Sequence, residues 1–325
     1  MQKIARLRAT LFAVSALIAS ASLAACKSNR QTITVFAASS LARSLGDFES
    51  QFEAENPKLD IQLEISGSQT ACRKIAELNR RADVVLSADH RVIDAILRPK
   101  HARFTLRFAT NELVIAHGAH SKHTERITAD NWPSILLSPG VRLGMVNPDL
   151  APIGYRTLLL WRLAGRMLGD KAPKGGLVQA LRARAKPEHM QPHESQMLKL
   201  LQAQALDYAF VYRSTAEEHN LKTVRLPPTY NLGSTKHAAE YAKETVKVLM
   251  AKNQRKAIPG AAVVYGLTIP DNARNAAGAA VFVEGLLNGE GKRSLLRSGY
   301  GLISPPACDH PSALPATLRK LVETR

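Results

Sequence analysis

The chain has 325 residues, 45% hydrophobic and 22% charged, with no internal repeat or low-complexity block, which is room for two ordinary α/β domains with substantial cores. Lys and Arg outnumber Asp and Glu by 44 to 27, a net charge of +17 that suits nucleic acid, an anionic membrane surface or an anionic ligand. The basic residues are scattered and seldom interleaved with aromatics, only 5% of the chain, so a generally basic surface is expected and nucleic acid is not expected as a partner. Three cysteines without a C-x-x-C give no support to a structural zinc or redox motif.

The N-terminus carries Lys3, Arg6 and Arg8, with no acidic residue before Asp47. An apolar stretch over residues 11–23 is too short to span a bilayer and right for a signal segment. It ends in Leu23-Ala24-Ala25-Cys26, which resembles the lipobox of bacterial lipoproteins residue for residue. The resemblance implies a signal peptide over 1–25 and acylation of Cys26 as the first mature residue; an ordinary signal peptide cut near a cysteine is the alternative. The rest is then expected outside the cytoplasm, periplasmic or at the cell surface, anchored to the membrane by lipid. Residues 1–25 hold three basic and no acidic side chains, so the remainder keeps +14 of the +17. An oxidising compartment permits a Cys72–Cys308 disulfide, with two separate thiols as the alternative.

After a polar linker over residues 26–31, Thr32-Ile33-Thr34-Val35-Phe36 reads as a buried strand, and Ala37-Ala38-Ser39-Ser40 opens a helix stopped by Asn56-Pro57. Residues 59–65 alternate as a strand, Ser66-Gly67-Ser68-Gln69-Thr70 turns into a helix over about 71–79, and 83–86 is a third strand. That rhythm predicts a parallel sheet with helices on both faces. A second unit begins with a strand at 112–116 and contains a strand at 142–146, helices near 155–168 and 195–205, and a strand at 208–211. Residues 171–192, rich in Lys, Arg, Gly, Pro and His, read as a surface connection. A strand at 262–269 and a helix at 277–288 follow, and the tail from Ser304-Pro305-Pro306 is expected to wrap the surface.

Enzymatic signatures are missing. There is no G-x-S-x-G, no S-x-x-K and no H-E-x-x-H, and Gly291-Lys292-Arg293 fails the P-loop pattern. His117, His120 and His123 recur at intervals of three, but Gly118, Ser121 and Lys122 around them indicate a solvated loop rather than a metal site.

Two strand-to-helix turns carry serine where a helix begins, at Ser40 and Ser68. The first N–H groups of a helix lack intrahelical partners and the dipole places its positive end there, so hydroxyl and amides together can cradle an anion. In parallel α/β sheets such turns converge at the carboxyl edge of the strands. Plain N-capping is the competing explanation for either serine alone.

Thr34-Val35-Phe36-Ala37-Ala38-Ser39-Ser40-Leu41, Ser66-Gly67-Ser68-Gln69-Thr70 and the A-D-V-V-L-S-A-D run ending at Asp89 resemble periplasmic molybdate-binding proteins. Asn131-Trp132, Pro139-Gly140-Val141-Arg142, Gly154-Tyr155-Arg156-Thr157-Leu158-Leu159, Asp207-Tyr208-Ala209-Phe210, Tyr212-Arg213-Ser214 and Val264-Tyr265-Gly266-Leu267-Thr268-Ile269-Pro270 resemble the tungstate/molybdate-binding branch in particular. The likeness runs from about residue 32 to 306. It implies an α/β, two-lobed periplasmic-binding-protein fold (type II), each lobe a mainly parallel sheet flanked by helices, joined by a hinge. Lobe 1 would comprise 32–108 plus 270–325, and lobe 2 109–269.

The resemblance further implies a monomeric, non-catalytic binding protein without a cofactor. It would capture molybdate or tungstate in the cleft and present it to the membrane permease of an ABC importer. Its ligand residues carry over to Ser40, Ser68, Ala151, Ser195 and Tyr212, with backbone N–H groups acting at Ala151 and Ser195. Tyr155 and Arg156 are expected to serve the helix start and packing. The branch has carboxylates that add ligands to the metal centre where this chain has Ala151 and Val211, so a tetrahedral ion held only by hydrogen bonds is expected. The same fold with another anion (sulfate, phosphate, a ferric complex or an organic anion), a role in sensing, and an enzyme acting on an anionic substrate remain alternatives.

Overall fold

A computed structural model describes residues 30–250 and 254–322. The expected signal segment, Cys26 and most of the linker lie outside the described residues. The chain opens with β1 (Gln31–Ala38), a 3-10 turn over Ser39–Leu41 and α1 (Ala42–Glu55), followed by β2 (Leu59–Ser66), α2 (Ser68–Ala76), β3 (Val84–Ser87), α3 (His90–Ile96) and β4 (Leu106–Asn111). The second unit holds β5 (Leu113–His117), α4 (Trp132–Leu137), β6 (Leu143–Val146), α5 (Pro152–Leu168), α6 (Leu177–Arg184), β7 (Met190–Gln191), α7 (Glu194–Gln202), β8 (Tyr208–Tyr212), α8 (Arg213–Glu218) and β9 (Lys222–Arg225). After α9 (Ala238–Tyr241) come a ribbon of β10 (Thr245–Leu249) and β11 (Arg255–Pro259), then β12 (Val263–Thr268), α10 (Ala276–Leu287), α11 (Gly289–Arg297), β13 (Gly301–Cys308) and α12 (Ala316–Val322).

One sheet is ordered β13-β4-β12-β3-β1-β2 and the other β7-β6-β8-β5-β9. Helices flank both. The sheets are mixed rather than mainly parallel. β2, β1 and β3 are parallel, as are β7, β6 and β8, but β12, β4 and β13 pair antiparallel in the first sheet and β5 pairs antiparallel with β8 and β9 in the second. The reversed pairs involve the segments that carry the chain between sheets: β4 leads through Glu112 into β5, and β12 brings it back. At that crossing Glu112 bridges Arg213 (3.2 Å), Arg225 (2.8 Å) and Asn231 Nδ2 (3.0 Å).

Each sheet has its own aromatic core. Phe48 and Phe52 sit one turn apart on α1 and meet Phe282 of α10 at 5.6 and 5.7 Å between ring centroids. In the second unit Phe210 lies edge-on to Trp132 and Trp161 at 5.5 and 5.6 Å. Two segments differ from expectation. Residues 171–192 are not all connection, because the buried pair Leu177 and Leu181 holds α6 against α5. The tail does not merely wrap the surface: β13 is an edge strand, and Ser304-Pro305-Pro306 occupies an irregularity between Leu302 and Ala307, where the missing N–H groups disturb no ladder. Cys72 is buried, Cys308 half-buried, and both are free thiols. His117 closes β5 with Nδ1 3.1 Å from the Gly118 carbonyl. Among the described residues there is no cluster able to hold a metal ion and no helix long and apolar enough to cross a membrane.

Candidate functional site

Strand register builds the site. β1 pairs with β2 until Ala38 lies opposite Ser66, so the turns bearing Ser40 and Ser68 leave the sheet side by side. β3 runs parallel on the other side of β1 and delivers Ala88 and Asp89 to the same edge; antiparallel β12, with Gly266 opposite Ser87, places Tyr265 there. In the second sheet β6 and β8 are parallel and end at Val146 and Tyr212, which puts the 147–151 loop and Tyr212 on one edge. The two edges face each other.

They are in close contact. A Cβ on Gly67 would lie 2.1 Å from the Leu150 carbonyl oxygen and 2.9 Å from Ala151 Cβ, so only glycine fits this approach. Gln69 Nε2 donates to the Pro148 carbonyl and Arg73 Nη2 to the Asp149 carbonyl, each at 3.0 Å. The Asp149 carboxylate in turn holds Arg255 (2.5 Å) and the Leu249 N–H (2.8 Å) of the β10–β11 ribbon.

Ser40, Ser68 and Tyr212 are 2%, 1% and 1% exposed, and beside them Arg156 carries a hydrogen bond across the interface to the Ala88 carbonyl. Tyr265 donates to Ser40 Oγ at 2.9 Å, and Tyr300 donates to the Ser40 carbonyl at 2.5 Å. The Ala88 N–H donates to Ser68 Oγ at 3.0 Å. The Ala88 carbonyl accepts from Arg156 Nη1 at 2.6 Å, and the same nitrogen donates to the Tyr212 hydroxyl at 2.8 Å. Tyr212 and Tyr265 pack edge-to-face with centroids 5.8 Å apart.

Arg156, expected only as a packing residue, is instead a fully buried cation at the centre of this network. Its Nη2 lies 3.1 Å from Asp89 Oδ2 as an ion pair without hydrogen-bond alignment, and its Nε has no partner. Asp89 caps α3 and also accepts from Tyr155 (2.7 Å) and Arg91 Nη2 (2.8 Å). Burial alone would favour the neutral acid, but Arg91 and Arg156 outweigh it and hold the Asp89 carboxyl far below the usual carboxylate range.

Glu194, the first residue of α7, is buried beside Tyr212 and its Oε1 accepts the Tyr212 N–H at 2.9 Å. Neither its Oε2 nor the neighbouring Thr215 hydroxyl has an aligned hydrogen bond. Burial pushes the Glu194 carboxyl up to about 8, against the opposing pull of the Tyr212 amide and Thr215. An edge without carboxylates, read from Ala151 and Val211, is therefore not what the chain builds. Val211 pairs with Val114 within the sheet, its side chain on the opposite face from Tyr212, and Glu194 supplies the acid.

Ala151 caps α5, packs on Gly67, and donates its N–H to the Asn147 carbonyl at 3.3 Å. Ser195 is half-buried, its hydroxyl 2.9 Å from His193 Nδ1. Sequence reasoning missed Glu194, because a glutamate in the first turn of a helix reads as an ordinary partner for the dipole. Asp89, Arg156 and Tyr265 each lie in a motif of the resemblance, so a signal for them was present in the sequence, whereas Glu194 and Tyr300 lie in none.

Comparison with known proteins agrees with this architecture. The family model for bacterial extracellular solute-binding proteins matches residues 33–301. A solute-binding protein of Petrotoga mobilis is 37% identical over 276 residues, covering 84% of each chain. The molybdate/tungstate-binding protein WtpA of Thermococcus kodakarensis is 30% identical over 337 residues, covering 97% of this chain and 94% of its own. Among solved structures, the periplasmic molybdate-binding protein of Azotobacter vinelandii superposes with a TM-score of 0.59 at 17% identity, over 83% of this chain and 99% of that one. The sulfate-binding protein SubI of Mycobacterium tuberculosis gives 0.59 at 14%, over 91% and 92%. The chain therefore belongs to the bacterial extracellular solute-binding proteins, a family of binders rather than catalysts.

Proposed function

We propose that this protein captures molybdate or tungstate as an intact tetrahedral oxyanion and delivers it to the membrane permease of an ABC importer. The observation that carries the reading is the convergence of three buried hydroxyls, Ser40, Ser68 and Tyr212, from two facing sheet edges. The 30% identical relative named for molybdate and tungstate supports the choice of anion. Glu194 is compatible with it: held protonated near neutral pH, it presents a hydrogen rather than a negative charge. Lobe 1 and lobe 2 then divide where β4 passes into β5 and where the chain returns to β12. Cys26 is the site of lipid attachment in the same reading, and the protein acts as a monomer.

Thermal unfolding of the ligand-stripped protein with molybdate, tungstate, sulfate and phosphate in turn tests the ligand. A site-specific ligand at a thousandfold excess over Kd stabilises the folded state by about 4 kcal/mol. The expected outcome is a large shift with molybdate or tungstate and none with phosphate; no shift with either metal oxyanion sinks the assignment. X-ray absorption on the complex checks coordination. Four short metal–oxygen bonds are expected, and additional oxygen neighbours would show that Glu194 bonds the metal. The sulfate-binding neighbour, at an equal TM-score, favours sulfate as the second reading, and the same panel decides it.

A further inference from the structure

The end of the first sheet remote from the cleft is built by the loops that enter its strands. β1 starts there at Gln31, opposite Leu59, and the Gln31 N–H donates to the Lys58 carbonyl at 2.7 Å. The loop before β3 joins it. Asp83 accepts the N–H groups of Thr34 and Asn275, both at 2.8 Å, and the Arg80 carbonyl accepts from Asn272 Nδ2 at 3.1 Å. The loop before β4 follows, its His101 carbonyl accepting the Asp271 N–H at 2.9 Å. Four exposed cations, Lys58, Arg81, Lys100 and Arg274, stand on these loops, and their side chains have no partner among the described residues. The neighbouring carboxylates are engaged: Asp83 by the two amides, Glu64 by Lys74 (2.6 Å) and Arg80 (2.7 Å), and Asp271 by Arg103 (3.2 Å). On the same loop as Arg81 is Leu78, at 69% the most exposed large apolar side chain among the described residues.

We propose that this end of lobe 1 is a membrane-docking surface, on which the four cations meet anionic phospholipid headgroups and Leu78 enters the interface between them. The inference rests on reading Cys26 as the point of lipid attachment, and it adds which face the attachment turns to the bilayer. Cys26 lies four positions before Arg30, the first described residue. At no more than about 3.6 Å per residue, its acyl group stays within about 14 Å of the start of β1. The intervening Lys27-Ser28-Asn29 adds a cation and no acid. The length of β1, about 23 Å at about 3.3 Å per residue, separates this end from the cleft. Screening at 0.15 M salt acts over about 8 Å, so the cations at this end meet the headgroup field and those of lobe 2 do not. One lipid signal and one basic patch together hold a protein at a surface better than either alone. Docked this way, the protein stands with its cleft clear of the headgroups and lobe 2 outermost.

The test mixes the protein, expressed from the full chain and processed by a bacterial host, with vesicles whose acyl chains are brominated to quench tryptophan. One set is phosphatidylcholine and the other adds phosphatidylglycerol. Leu78→Trp places the reporter, and Trp132 and Trp161, buried in lobe 2, are the internal control. Leu78→Trp should be quenched on the anionic vesicles, less so as salt rises, and not on the neutral ones. Wild-type fluorescence should be the same on both. Adding Arg81→Glu and Arg274→Glu should lower the ratio of docked to undocked protein about tenfold or more, the scale of two cations at an anionic surface. Adding Lys222→Glu and Lys236→Glu instead, both exposed on lobe 2, lowers the net charge equally and should leave docking intact. Quenching that is absent, equal on the two vesicle types, or weakened as much by the lobe 2 pair overturns the proposal. A protein that does not float with neutral vesicles removes the lipid attachment. Docking is then decided on anionic vesicles alone, where flotation lost with Arg81→Glu and Arg274→Glu supports it and no flotation of the wild type overturns it.

Discussion

On the proposed reading Glu194 places an ionisable group where a dianion is to be received, and its burial decides which form it takes. Its carboxyl is displaced from 4.5 to about 8 in the folded protein. The folded state therefore keeps a proton that the unfolded chain releases between those values. The sign follows from linkage: the stability is fully present below 4.5 and is lost as pH rises towards about 8, by up to about 1.4 kcal/mol per pH unit. Glu194→Gln cannot titrate and should be free of that slope, so its stability relative to the wild type should rise between pH 5 and pH 8. Denaturant unfolding at the two pH values measures the difference. An equal difference at both would mean that Glu194 is ionised in the folded protein.

At the scale of elements, the decisive contact is the turn between β2 and α2 resting on the loop before α5. Gly67 has φ −70° and ψ 147°, an extended conformation open to any residue, so its glycine is demanded by space and not by backbone strain. Gly67→Ala would drive a methyl into the Leu150 carbonyl and hold the two sheet edges apart. The ligand-free protein should lose less than about 1 kcal/mol, since alanine is tolerated at those angles. Anion affinity should fall tenfold or more, and small-angle scattering with ligand should show the wider form. Wild-type affinity in Gly67→Ala would show that the edges need not approach this closely in the complex. The β10–β11 ribbon reinforces the same loop through Asp149, which makes the loop a rigid seat rather than a free flap.

Across the whole molecule the excess of basic residues acts at long range. Residues 26–325 carry +14 of the +17, and on the proposed reading a dianion approaching them is drawn in by the summed field even where no single arginine touches it. The association rate for molybdate should therefore fall as salt rises from about 10 mM to 150 mM, a range over which the Debye length shrinks from about 30 to 8 Å. The dissociation rate should change little, because the three hydroxyls proposed to hold the ion are buried. Stopped-flow fluorescence reads both. An association rate indifferent to salt would assign the charge to some other partner surface.

The repeating strand-and-turn pattern was legible in the sequence because each signal is local. Asn56-Pro57 ends α1, Pro152 starts α5, and Ser40 and Ser68 mark turns at strand ends. The tail was misread because the two prolines of β13 argue against a strand until an edge position and an irregular register make room for them. Sequence motifs also reached the family, and they singled out Ser40, Ser68 and Tyr212, which the fold buries. What the hydroxyls can do was settled by residues distant along the chain. Tyr265 fixes Ser40 across 225 positions and Arg156 holds Tyr212 across 56. Glu194 becomes an acid of raised pKa only because α7 and β8 bury it. Local pattern determines which backbone elements form, since helices and turns are made by near neighbours. The direction of a hydroxyl and the charge of a carboxyl depend on desolvation and partners, and these exist only once the two sheets have met.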